Sequence, residues 1–171
     1  MATTYEAIAT VTVGSGGAAT IDFQSIPNTY TDLKLVLSAR GTSTALYALI
    51  RFNNNSNSIY SLRYLYGEGS GGTASGSATN ENTWERFLMV SSAYTADTFS
   101  NGELYIPNYT SSNNKSVSFD SVNERNDTAV QMFMVAGLFA STAVIDRITL
   151  TPNTGNFAQH STATLYGIKN S

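Results

Sequence analysis

In "YEAIATVTV" (residues 5–13), Tyr5, Ala7, Ala9, Val11 and Val13 alternate with Glu6, Ile8, Thr10 and Thr12. A period of two sets alternate side chains on opposite sides of a pleated strand. "GSGG" (14–17) follows as a turn, where glycine reaches positive φ without steric cost. Ile21 and Phe23 then flank Asp22, and the two segments are expected to form a hairpin. Next, "DLKLVLSAR" puts Leu33, Leu35 and Leu37 on one face, and the more apolar "ALYALIRF" (45–52) reads as a central strand. "NNNSNS" breaks it, and "IYSLRYLYG" resumes with Tyr60, Leu62, Tyr64 and Tyr66 on one side. Further strands are predicted at "TWERFLMVSS", "GELYIPNY", "KSVSFDSVNE", "AVQMFMVAGLF", "AVIDRITLTP" and "STATLYGIK", with turn chemistry between them. Helix is confined at most to a turn within 91–100. Many short strands at this spacing predict an all-β, antiparallel β-sandwich with jelly-roll connectivity.

Composition narrows the functions. A chain of 171 residues is expected to form a single domain, 1–171. Only 12% of residues are charged, about half the usual ~25%, and Ser, Thr, Asn and Gly fill the gap. Such a neutral polar surface does not repel copies of itself, which points to an assembled state. A net charge of -3 with nine scattered Lys and Arg argues against a nucleic-acid partner. The absence of cysteine excludes disulfides and thiolate ligands. The N-terminus lacks signal-peptide character, and no apolar run approaches the ~20 residues of a membrane helix. A soluble product made in a cytoplasm, with no membrane partner, is the expectation.

Candidate chemistry is sparse. Gly67, Gly69 and Gly72 in "GEGSGGTASGSA" match G-x-G-x-x-G, but no helical period follows to supply the phosphate-binding dipole. The stretch therefore reads as a long Gly/Ser-rich surface loop at about 67–83. His160 is the only histidine and has no triad partner pattern around it. Glu81 with Glu85, or Asp120 with Glu124, could pair for glycoside cleavage, but read more simply as solvated strand-end carboxylates. "NNNSNS" lacks the carboxylates of a calcium loop. No catalytic residue, metal ligand or cofactor site is expected. The feature left over is aromatic: ten tyrosines, eight phenylalanines and one tryptophan. Tyr64, Tyr66, Trp84, Tyr94, Tyr105 and Tyr109 are the candidate interface residues, able to stack on sugars or to form a protein contact.

"FQSIPNTYTDLKLVLSARGT" (Phe23, Ile26, Pro27, Thr29, Tyr30, Asp32, Leu33), "LIRFN", "YLYGEGS", "ITLTPNTGNFAQHS" and the terminal "STATLYGIK" follow one another through most of the chain. Together they resemble small structural proteins of tailed bacteriophages, notably those of marine and freshwater hosts. The resemblance implies a non-enzymatic virion protein, made in the host cytoplasm and located in the virion. Its partners would be the major capsid protein or other virion proteins. Three roles compete. One is a capsid decoration (cement) protein, commonly a homotrimer, that holds neighbouring capsid subunits. Another is a tail-fibre, tail-tip or baseplate module touching the host surface and its glycans. The third is a polysaccharide-degrading enzyme. From the residues themselves, Ile26-Pro27 reads as a corner at which the chain changes sheets, because proline brings no N–H to a ladder. The segment from Met1 is expected to be tied down in a sheet or by a neighbour.

Overall fold

The computed structural model describes residues 4–69, 71–127 and 129–169. Twelve strands and no helix occur among them: β1 (Thr4–Thr12), β2 (Ile21–Phe23), β3 (Asp32–Ala39), β4 (Tyr47–Phe52), β5 (Tyr60–Glu68), β6 (Thr73–Glu81), β7 (Trp84–Leu88), β8 (Ser100–Ile106), β9 (Lys115–Asn123), β10 (Gln131–Phe139), β11 (Ile148–Pro152) and β12 (Thr162–Lys169). They form an eight-stranded sheet, ordered β1-β12-β3-β8-β9-β10-β5-β6, and a four-stranded sheet, β2-β11-β4-β7. Every ladder is antiparallel. The two sheets pack face to face as an all-β sandwich over a single apolar cluster.

Alternation sets the inner face. Leu33, Leu35 and Leu37 of β3 are buried, as are Val117 and Phe119 of β9 and Phe133, Val135 and Phe139 of β10. The Ile26-Pro27 corner carries the chain from the small sheet at β2 to the large sheet at β3. Ile26 N–H donates to Asp146 O (2.9 Å) and the Tyr109 hydroxyl donates to Pro27 O. The Tyr30 ring covers Gly167, where a Cβ would lie 2.3 Å from it.

Two local expectations are corrected. β1 and β2 are not a hairpin. The turn at 14–17 closes (Gly17 N to Gly14 O, 3.0 Å), but β1 pairs with β12 and β2 with β11. Residues 17–20 carry the chain between sheets, with Ala18 and Phe157 exchanging backbone bonds on the way. The long loop at 67–83 is instead a tight turn and the strand β6, in register from Gly67 opposite Thr73 to Leu62 opposite Ala78. As a mostly exposed edge strand it buries little, so it needs no apolar residues and left no apolar period. Ser70 in that turn lies outside the described residues. No helical turn forms at 91–100. Arg40 binds that loop by donating to the carbonyls of Thr95 (2.7 Å), Thr98 (3.1 Å) and Tyr94 (2.9 Å). Met1 lies outside the described residues, and the expectation about it goes no further than β1.

The contact between sheets centres on β7, the edge of the small sheet, which lies over β5, β8, β9 and β10. Trp84 is fully buried, edge-on to Phe52 (5.0 Å between ring centres) and Tyr60 (5.1 Å), and its Nε1–H donates to Ser61 O at 2.9 Å. It fits because Gly137 has no side chain: a Cβ there would meet Val117 at 2.8 Å and Trp84 at 3.0 Å. Gly102 leaves room for Phe87 in the same way, at 2.4 Å. Gly137→Ala overpacks this contact and is expected to cost about 1–3 kcal/mol, seen as a lower urea midpoint. Gly14→Ala, with nothing within 4 Å of the new Cβ, should stay within about 0.5 kcal/mol of the wild type.

Candidate functional site

The six aromatic candidates do not form one site. Trp84 and Tyr109 are core residues, fully buried, and are corrected as interface residues. Trp84 suggested a surplus because the space that Gly137 leaves for it is invisible in a residue count. Tyr64 and Tyr66 line the inner face of β5 and pack on Phe133 (5.5 and 4.8 Å). The Arg86 guanidinium lies over Tyr47 and Tyr64, 5.2 Å from each ring, in a cation–π stack. Tyr94 sits beneath the Arg125 guanidinium (4.4 Å), far along the chain in the 91–99 loop. Tyr105 alone of the six stands on the outer face of the large sheet. Its hydroxyl donates to Asp32 Oδ2 at 2.7 Å, and that bond to a carboxylate pushes its pKa up to about 12.

The outer face of the large sheet carries a different feature. Leu65 (60% exposed) on β5 and Met132, Met134 (53% exposed) and Leu138 on β10 are large apolar side chains open to solvent. Met134 stands opposite Leu65 on one side and Asp120 on the other, and Ala136 stands between Arg63 and Ser118. These residues floor a groove of about 670 Å³, and Ser75 and Ser77 of β6 form one wall. A second hollow of about 290 Å³, lined by Ser61, Arg63, Ser77 and Leu138, continues it along the strands. Soluble monomers rarely expose contiguous apolar patches beyond a few hundred Å², and larger ones mark interaction sites.

Charge is concentrated at one flank. Glu103 on β8 stands directly opposite Asp120 on β9, and Lys34 on β3 bridges to Glu103 at 2.7 Å. Lys34 is thereby held above its ordinary range. Asp120 is also raised, first by desolvation against the sheet and then by the facing Glu103 carboxylate. Arg63, on the far side of β10, gives the groove one cationic and one anionic bank.

The other sequence candidates serve local structure. Asn53 and Asn54 adopt positive φ (53° and 51°), and Asn53 Oδ1 accepts from the Asp146 N–H at 3.0 Å. Glu85 is paired with Arg86 (3.0 Å), and Glu124 accepts from Asn126 N–H (2.5 Å) rather than facing Asp120. His160 is exposed at a turn with φ 70°, its N–H bonded to Val13 O (2.9 Å). Among the described residues no three His, Cys, Asp or Glu side chains gather as a metal site. The apolar face was legible only indirectly: "VQMFMVAGLF" is apolar on both alternating sets, one more face than a core requires.

Fold and face define a β-sandwich with an open, partly apolar groove on the outer face of its larger sheet. No protein-family model matches the chain, and no curated protein matches it.

Asp120 gives a pH prediction. A folded-state pKa above the unfolded one means that the folded protein binds the proton more tightly. This contribution is complete below the unfolded pKa and is lost as pH rises through the folded value. Asp120→Asn should therefore melt higher than wild type at neutral pH. The gap should close as pH falls below about 4, the ordinary aspartate range. A gap that widens on acidification would contradict the assignment.

Proposed function

We propose that the protein is a non-enzymatic structural protein of a virion, a capsid decoration protein that docks on the shell through the outer face of its eight-stranded sheet. The observation that carries this reading is the exposed stripe of Leu65, Met132, Met134 and Leu138 along a groove with few charges. The face has the right size. Eight strands at about 4.8 Å spacing and about 23 Å of strand cover roughly 800 Å², one partner's share of a standard protein interface. The setting comes from the resemblance of "FQSIPNTYTDLKLVLSARGT" and "STATLYGIK" to phage structural proteins. Attachment would stabilise the shell by mass action, and many copies acting together would compensate for a modest contact per copy.

The connectivity supports the same reading. With the hairpins β5–β6 and β9–β10 set aside, the strands fall into two four-stranded sheets, β1-β12-β3-β8 and β2-β11-β4-β7. The chain crosses between sheets at every remaining connection except β4 to β7, which lie side by side. We assign this wiring as a jelly roll in which both hairpin insertions extend one sheet. The insertions bring the apolar stripe with them, since Leu65 is on β5 and the other three residues are on β10. The tail-tip, glycan-binding alternative loses support, because Trp84, the side chain best suited to stack on a sugar, is in the core.

Met134→Thr and Leu65→Thr alter exposed strand positions without placing a carboxylate opposite Asp120, and should change stability by no more than about 0.5 kcal/mol. Each should lower occupancy on particles stripped of the native protein by at least about tenfold, roughly 1.4 kcal/mol, in a sedimentation binding assay. Undiminished attachment by both variants would remove the docking face from consideration, and binding to tail tips alone would remove the decoration role.

A further inference from the structure

A sheet edge presents unpaired backbone groups to any passing strand, and three of the four edges here are defended. β2 is only 3 residues long. β7 is bulged, carries Glu85 and Arg86, and has Arg86 at φ 82°. β1 is bulged between Ala7 and Ala9 and carries Glu6, which is bonded to Lys169. β6 differs. It is 9 residues long, and from Thr73 to Ala78 its ladder with β5 runs without a break. No charge and no proline interrupts it before Glu81.

The sequence of this edge reads the same in both directions: Thr73-Ala74-Ser75-Gly76-Ser77-Ala78-Thr79. Two copies laid antiparallel about Gly76 set Ser75 against Ser77, Ala74 against Ala78 and Thr73 against Thr79. Ser and Thr pairs of this kind hydrogen-bond across strands, and no like charges meet. The backbone phase agrees. Glu68 N–H donates to Gly72 O at 2.8 Å across the turn. By antiparallel alternation, Ala74, Gly76 and Ala78 then address β5, and Thr73, Ser75 and Ser77 turn their N–H and C=O groups outward. A two-fold axis at Gly76 brings outward-facing residues opposite one another, as a ladder requires. Gly76 itself is shielded on the inner side by Tyr64, whose hydroxyl lies 2.5 Å from where a Cβ would be.

We propose that β6 pairs with β6 of a second copy of this chain about a two-fold axis through Gly76, forming one continuous sheet across the dimer. Ser75, Gly76 and Ser77 also wall the apolar groove, so the axis joins the two grooves into a single trough on one face. The occupant is a second copy because the edge is complementary to itself residue by residue. The pairing makes a two-fold assembly, in place of the three-fold one implied by the family resemblance, and it is independent of any contact with a particle.

Light scattering on the isolated protein tests it. The wild type should have the mass of a dimer. Ser75→Pro removes an outward N–H and leaves the β5 ladder intact, so the mass should halve while the chain still melts cooperatively, at a temperature that no longer depends on protein concentration. Ser75→Lys combined with Ser77→Lys sets cation against cation and should also give a monomer. Ser75→Lys combined with Ser77→Glu sets each lysine against a glutamate of the other copy and should keep the dimer. If Ser75→Pro unfolds the chain, the two charge variants decide. A monomeric or trimeric wild type overturns the proposal. So does a dimer indifferent to the Lys/Lys pair, or equal dissociation of the Lys/Lys and Lys/Glu variants.

Discussion

The seat of Trp84 and Phe87 on Gly137 and Gly102 is the contact on which the rest of the structure depends. The small sheet has four strands and the large one eight, so the inner face of β5, β8, β9 and β10 is covered by one edge strand and its aromatic rings. Two glycines let β7 approach close enough to bury those rings completely, and the shared cluster of Phe52, Tyr60, Phe119 and Phe139 closes around Trp84. Interiors pack at crystal-like density, so a single methyl group placed there is felt. From the middle of β7, Arg86 extends the cover over Tyr47, Tyr64 and Phe133. Its positive φ directs a charged side chain onto aromatic faces that would otherwise be open to water.

A sheet wider than its partner has an inner face that is fully committed and an outer face that is free. On the outer face of β1, β12, β3 and β8, Val36 and Tyr5 are exposed singly among hydroxylated or paired side chains: Thr164 beside Val36, Lys34 bridged to Glu103, Tyr105 bonded to Asp32. Strands β9, β10, β5 and β6 differ in kind, with methionine and leucine along the middle and serine at the rim. Methionine's flexible thioether suits the docking role proposed for this face. The apolar face and the undefended edge thus lie on the same insertions, and both point to association.

Much of the fold is written in local pattern. The alternation of Leu33, Leu35 and Leu37 and the break at Ile26-Pro27 locate β3 and the change of sheet, because burial on one side and the missing proline N–H act within a few residues. Alternation cannot say which strands pair. The apparent hairpin of β1 and β2 failed for that reason, since both strands find their partners near the other end of the chain. β6 went unread because an exposed edge strand needs no apolar residues, and Ser, Gly and Ala also compose loops. Trp84 and Tyr109 were misplaced because aromatic count is a property of the sequence, whereas their room depends on what the fold brings opposite them, Gly137 for Trp84 and the Pro27 carbonyl for the Tyr109 hydroxyl. The stripe on β10 was visible as a strand apolar on both faces, but its partner Leu65 comes from a strand distant in sequence.

Methionine oxidation tests the central claim, that the outer face of the large sheet is where this protein docks. Met132 and Met134 stand on that face, exposed by 41% and 53%, and Met89 is fully buried beneath β7's end as an internal control. In dilute hydrogen peroxide the free protein should oxidise at Met132 and Met134 and not at Met89. On the assembled particle both should be protected, with Met89 unchanged. Oxidation of Met132 and Met134 at the same rate in the free and particle-bound protein would contradict the account.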